Sequence, residues 1–172
     1  MNVLTKQRGN SGFTIIEVVL VLAIAGLIFL MVFIALPALQ RNQRDSQRKN
    51  DMGRLSTAIV SYTNANRGAL PTPATSATYQ TFVTNYLAVG GDTFIDPSGA
   101  TATQGAARTT YVMSVNTTAS LTAVYSDATQ NTIYVSPGFT CDAASTDVKA
   151  AGSRKVAFRM PLEGGGYYCV NN

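Results

Sequence analysis

The sequence predicts an α+β protein, a long N-terminal α-helix packed on a small antiparallel β-sheet head. Three observations predict it. Val18 to Leu39 run for 22 residues without a charge, and as a helix they are about 33 Å long, enough to cross a bilayer core. A helical pattern continues beyond that run: Met52, Leu55, Ile59 and Tyr62 recur at spacings of three, four and three, on one face. The C-terminal half then holds short runs rich in Val, Ile, Tyr and Thr, divided by Asn, Asp, Gly or Pro, as strands are.

The helix is expected from about Thr14 to Asn66. Between its apolar and amphipathic parts, Arg41/Asp45 at i,i+4 and Asp45/Arg48 and Arg48/Asp51 at i,i+3 are spaced to support it. Pro37 lacks an N–H and is expected to kink it, and Gly26 and Gly53 weaken it further. Arg67-Gly68, with Pro71 three residues on, is the stop. Residues 69–78 read as an ordered loop or short linker. Tyr79, Phe82, Val83, Tyr86 and Leu87 then fall at i, i+3, i+4, i+7 and i+8, the pattern of a short amphipathic helix. The runs 110–116, 121–126, 131–136, 154–160 and 167–171 predict a sheet of three to five antiparallel strands, with "EGGG" at 163–166 as a hairpin turn. The Met52–Tyr62 stripe needs a cover, and this sheet is the expected one. The chain divides into 1–12, an N-terminal leader; 13–40, an apolar helix; 41–68, its amphipathic continuation; and 69–172, the head.

Composition removes several kinds of chemistry. The 172 residues include no His, so triads, general bases and metal ligands built on His are excluded. The nine carboxylates are scattered rather than clustered, and no catalytic residue, metal site or cofactor is expected. Asp92 and Asp96 lack the alternating oxygen ligands of a dedicated calcium loop. The net charge of +4 lies almost entirely in the first 54 residues, where Lys6, Arg8, Arg41, Arg44, Arg48, Lys49 and Arg54 flank the apolar run. That is not the footprint of a basic groove, and nucleic acid is not an expected partner. Cys141 and Cys169 are the only cysteines. An even pair in the C-terminal third points to a disulfide and an oxidising location for the head.

One charge stands out of place. Glu17 lies in the stretch "SGFTIIEVVLVLAIAG" at the head of an apolar span, where insertion scales put a central Asp at about +2.5–3.5 kcal/mol. Thr14-x-x-Glu17 fits a capping box, in which each side chain satisfies an orphan amide at the helix start. The same stretch also resembles the class III signal peptide and mature N-terminus of the type IV pilin superfamily. The leader, Met1 to Gly12, is short, basic through Lys6 and Arg8, and ends in Gly12. Phe13, Thr14, Glu17 and Gly26 fall on the motif, although in many members a Pro lies a few residues before the place of Pro37.

The resemblance implies cleavage between Gly12 and Phe13 by a prepilin peptidase, with N-methylation of Phe13. It implies that Glu17, with Thr14, acts in assembly by pairing with the amine on a neighbouring subunit's Phe13. The implied protein is a non-enzymatic subunit of a type IV pilus, serving motility, adhesion or DNA uptake. A pseudopilin of a type II secretion or competence system shares this N-terminal logic. A single-span membrane-anchored receptor or surface domain is a more distant alternative. The implied partners are the membrane, copies of this chain and other pilins, the peptidase, and the assembly platform with its ATPase. Arg41, Arg44, Arg48 and Lys49 are expected to pair with carboxylates on neighbouring subunits. The basic flank after the span favours a cytoplasmic head, but long segments translocate regardless of flanking charge. The cysteine pair and the resemblance favour the outside, first on a membrane precursor and then in an extracellular pilus.

Overall fold

The structure, a computed structural model, describes residues 12–89, 92–97, 111–117, 131–142 and 147–172. It is an α+β fold with a long N-terminal helix, α1 (Ile15–Ala65), and a second helix, α2 (Ser76–Tyr86). Among the described residues are six strands: β1 (Val112–Val115), β2 (Thr132–Pro137), β3 (Phe139–Cys141), β4 (Val148–Ala150), β5 (Val156–Pro161) and β6 (Tyr167–Asn171). The chain forms two compact units, Met1–Leu39 and Gln40–Asn172.

In the first unit, α1 is apolar on every side. Phe13, Val19, Leu22, Phe29, Phe33 and Ile34 are all exposed. An 18-residue window of this helix meets the length and composition of a membrane span with 0% of it buried by the protein. A helix apolar all round, with no protein packed on it, requires an apolar solvent.

In the second unit α1 becomes a core element. Met52, Leu55 and Ile59, three members of the predicted stripe, are each 0% exposed, and full burial of such a side chain is worth about 1.5–3 kcal/mol. They share one cluster with Tyr79, Phe82 and Val83 of α2, Ile133 and Val135 of β2, and Val156, Phe158 and Met160 of β5. The helix ends where the Arg-Gly signal stands. Arg67 (φ 57) and Gly68 (φ 82) both enter the left-handed region, and the Gly68 N–H closes on the Thr63 carbonyl at 2.7 Å. α2 begins earlier than its apolar stripe, because Thr75 caps it by accepting from the Thr78 N–H at 3.2 Å.

The main sheet has the order β1-β2-β5-β6. β2/β5 and β5/β6 are antiparallel, as expected, but β1 joins β2 in parallel, with Val112 opposite Thr132. The expected strand at 121–126, between them in sequence, lies outside the described residues. β3 and β4 form a separate antiparallel pair absent from the sequence prediction. With three residues each, they are too short to show an alternating pattern.

β1 is the last strand on its side among the described residues, and its outer edge is occupied. The Gln80 amide of α2 donates to the Tyr111 carbonyl at 3.1 Å and accepts from the Met113 N–H at 3.0 Å, and Ser76 Oγ accepts from the Val115 N–H at 3.0 Å. Side chains on a helix thus stand in for a missing strand, which guards the edge against further pairing. Cys141 of β3 and Cys169 of β6 are disulfide-bonded, with 5.9 Å between their Cα atoms and a separation of 28 positions in sequence. Closing a loop of that length is worth about 3.6 kcal/mol in the chain-entropy account.

Among the described residues the core includes a polar defect. The Tyr79 hydroxyl is buried without a hydrogen-bond partner, and burial pushes its pKa up. An unsatisfied buried hydroxyl costs about 1–3 kcal/mol. Tyr79→Phe is therefore expected to stabilise the head by about 1 kcal/mol in denaturant unfolding of the full chain, whereas Ile59→Ala is expected to cost about 2–5 kcal/mol.

Candidate processing and assembly site

Gly12, Phe13 and Thr14 precede the first helical residue and have no regular secondary structure. The Gly12–Phe13 peptide bond therefore lies outside the helical hydrogen-bond ladder. Phe13 is 84% exposed, and an added Cβ on Gly12 would meet nothing within 4 Å. A bond in open, non-helical chain is one that an enzyme's active site can bind in extended form.

The helix starts on a backbone contact. The Thr14 carbonyl accepts from the Glu17 N–H at 3.1 Å and from the Val18 N–H at 3.3 Å. The reciprocal side-chain bonds of a capping box are not present among the described residues, so helix initiation does not engage the Glu17 side chain. Glu17 is exposed and lines a shallow, almost wholly apolar groove with Phe13, Val18, Val21 and Leu22. A carboxylate in that setting has no counter-charge within its own unit among the described residues. Pro37 lies inside α1, whose helical span continues on both sides of it.

The basic residues after the span have a different use from the one expected. Arg48 is 0% exposed and its guanidinium is ringed by carboxylates. Nε and Nη2 donate to Asp96 at 2.7 and 3.0 Å, and Nη1 lies 3.1 Å from Asp45 and 2.8 Å from Glu163. Arg44 grips Glu163 with both Nε and Nη2, the Nε bond being 2.8 Å. Asp45 in turn accepts the backbone N–H groups of Glu163 and Gly164, each at 2.8 Å. A Cβ at position 164 would approach Asp45 Oδ2 to 3.2 Å, so the turn between β5 and β6 is held close enough to suit glycine there. One turn further along α1, Asp51 accepts from the Tyr111 hydroxyl at 2.9 Å and from Arg54 at 3.2 Å.

This corrects the expectation that Arg44 and Arg48 await carboxylates of neighbouring subunits: their partners are within the chain. Lys49 lies over the Tyr168 ring at 5.9 Å. Of the helical pairs read from spacing, Asp45/Arg48 forms, while Asp51 turns to Arg54 and Tyr111. Asp92 and Asp96, considered above for calcium, bind Arg54 and Arg48. Sequence reasoning missed Glu163 because its partner Arg44 lies 119 positions away. The only local sign was an acid in an otherwise glycine-rich turn.

The titration of these groups follows from the geometry. Burial opposes the charge of Arg48, but Asp96 and Glu163 outweigh it and hold its pKa above the ordinary arginine value. Hydrogen bonding to Arg44 chiefly, and to Arg48, holds Glu163 below its ordinary 4.5. Burial raises Asp51, with Tyr111 and Arg54 pulling the other way. Glu163 thus contributes stability that is complete above pH 4.5 and is lost as pH falls through its lower folded value. Asp51, raised on folding, acts in the opposite sense. Arg48→Met would leave three carboxylates facing one another, and is expected to cost about 3–5 kcal/mol at neutral pH. In urea unfolding across pH 3–7, that deficit is expected to shrink towards the acid end as the carboxylates take up protons.

Residues 7–33 match the family model of the prokaryotic N-terminal methylation motif. No curated protein and no solved structure matches the chain. The matched segment contains Gly12, Phe13, Thr14, Glu17 and Gly26 and stops short of the head. The chain carries, at the start of a long apolar helix, the N-terminal methylation motif that serves as the class III signal peptide of type IV pilins.

Proposed function

We propose that this protein is a structural, non-enzymatic subunit of a type IV pilus, made as a membrane-anchored precursor. A prepilin peptidase cleaves it after Gly12 and the new amine on Phe13 is methylated. The observation that carries this reading is the methylation motif at 7–33 joined to an apolar helix whose span window is 0% buried by its own protein. Such a surface represents tens of kcal/mol against water. It leaves the bilayer only for another apolar environment, and a bundle of identical helices is one. A heterologous contact that does not close on itself repeats into a filament.

Glu17 then has a role that its exposed, apolar setting supports. Its carboxylate pairs with the ammonium on a neighbouring subunit's Phe13, so that each charge relieves the desolvation of the other. A subunit slipped along the axis would leave both unpaired, so the pair also sets register. Pro37, which denies an N–H to the Phe33 carbonyl, is the point at which the helix yields during packing. The head faces outward, consistent with its disulfide. The basic flank does not argue against this, because Arg44 and Arg48 find their carboxylate partners inside the head itself. Assembly proceeds through the pilus platform and its ATPase, with other pilins as neighbours.

Mass spectrometry of surface-exposed protein is expected to find N-methylated Phe13 as the first residue, and an intact Met1 there would overturn the reading. Glu17→Ala is expected to remain inserted and to lose filament formation by electron microscopy, and normal fibres from it would defeat the pairing.

A further inference from the structure

The head carries a groove that neither the tail nor the arginine cluster uses. It has a volume of about 270 Å³ and lies where the ends of α1 and α2 meet the connection between them. Its apolar lining is aromatic. Phe82 and Tyr86 stack at 5.0 Å between centroids, Tyr62 stands edge-on to both at 5.4 Å, and Pro71 completes the set. Thr72, Asn85 and two further threonines supply the polar lining, and none of the residues that line the groove is charged. Tyr86 is 47% exposed, more than the other described aromatic residues of the head. The Tyr62 and Tyr86 hydroxyls and the Asn85 amide take no hydrogen bond from the described residues.

This combination selects its occupant. An ionic ligand would meet no counter-charge, and a purely aliphatic one would leave two phenols and an amide facing it unpaired. A ring with a C–H face and neutral hydroxyls satisfies both parts. Polarised C–H groups are attracted to the negative face of an aromatic ring, while the amide and phenols exchange hydrogen bonds with hydroxyls. The volume is below the roughly 300–1,000 Å³ of pockets that take drug-sized ligands, so one ring is held at a time.

We propose that this groove binds a single neutral sugar residue of a glycan, its C–H face on Tyr86 and its hydroxyls on Asn85 and the two phenols. The proposal goes beyond the filament reading and does not rest on it, since no residue of the N-terminal motif takes part.

The test is saturation-transfer NMR on the full chain in phospholipid nanodiscs, which avoid sugar-based detergents. The probes are the methyl glycosides of glucose, galactose and N-acetylglucosamine, with N-acetylneuraminic acid as the charged comparison and a polyproline peptide as the rival occupant. At least one neutral glycoside is expected to show saturation at its ring C–H protons. Its affinity is expected to fall at least tenfold in Tyr86→Ala and measurably in Asn85→Ala, and to be unchanged in Lys149→Ala. Both groove positions are exposed, so the variants are expected to keep the wild-type circular dichroism. No saturation of any neutral glycoside, saturation of the acidic sugar alone, persistence in Tyr86→Ala, or preferential binding of the peptide would each overturn the proposal. So would groove resonances that shift with protein concentration alone, which would assign the groove to a second copy of this chain.

Discussion

The constraint on which everything else depends is the solvent demanded by the first half of α1. A helix that is apolar on all sides, with 0% of its span window buried among the described residues, is not stable in water. Every state of the protein must therefore supply it with lipid or with other helices. The single carboxylate in that surface adds a second demand, because an oily environment that receives Glu17 must neutralise its charge, with a proton or with a cation. These two demands admit few solutions. The proposed bundle, in which each subunit would present an ammonium at Phe13, is one that meets both.

The second half of the same helix works by opposite rules. There the surroundings are protein, and α1 contributes an apolar stripe on one side and a column of charges on another. Arg44, Arg48 and Arg54 reach carboxylates in three separate stretches: the helix itself, residues 92–96 and the turn before β6. Arg48 is buried completely, so its charge is tolerable only because four of its five N–H donors are matched. Such a cluster does more to define which turn of the helix meets which loop than to add net stability. Exposed pairs such as Arg54–Asp92 contribute little by comparison.

Around this hub the head closes its weak points with short-range devices. The outer edge of β1 is matched by Gln80 and Ser76, and the turn leading into β6 is clasped by Asp45. The disulfide ties β6 to the small β3–β4 sheet. Each device joins segments far apart in sequence. Among the described residues the head therefore keeps its shape with two helical faces, a sheet of four strands and a second of two to bury apolar area.

Elements governed by local periodicity were already legible in the linear chain. The unbroken apolar run, the 3.6-residue stripe through Met52, Leu55 and Ile59, the Arg67-Gly68 stop and the runs that became β2, β5 and β6 are all set by neighbours within a turn or a strand. The N-terminal motif was legible for the same reason, being a linear pattern within residues 7–33. Tertiary structure alone decided the parallel pairing of β1 and β2, the short β3 and β4, and the partners of the arginines. Strand order depends on which edges meet after the chain has crossed over, and three-residue strands exist only because a neighbour completes their hydrogen bonds. A guanidinium finds a carboxylate by distance in space, and no spacing along the chain foretells that Arg44 will close on Glu163.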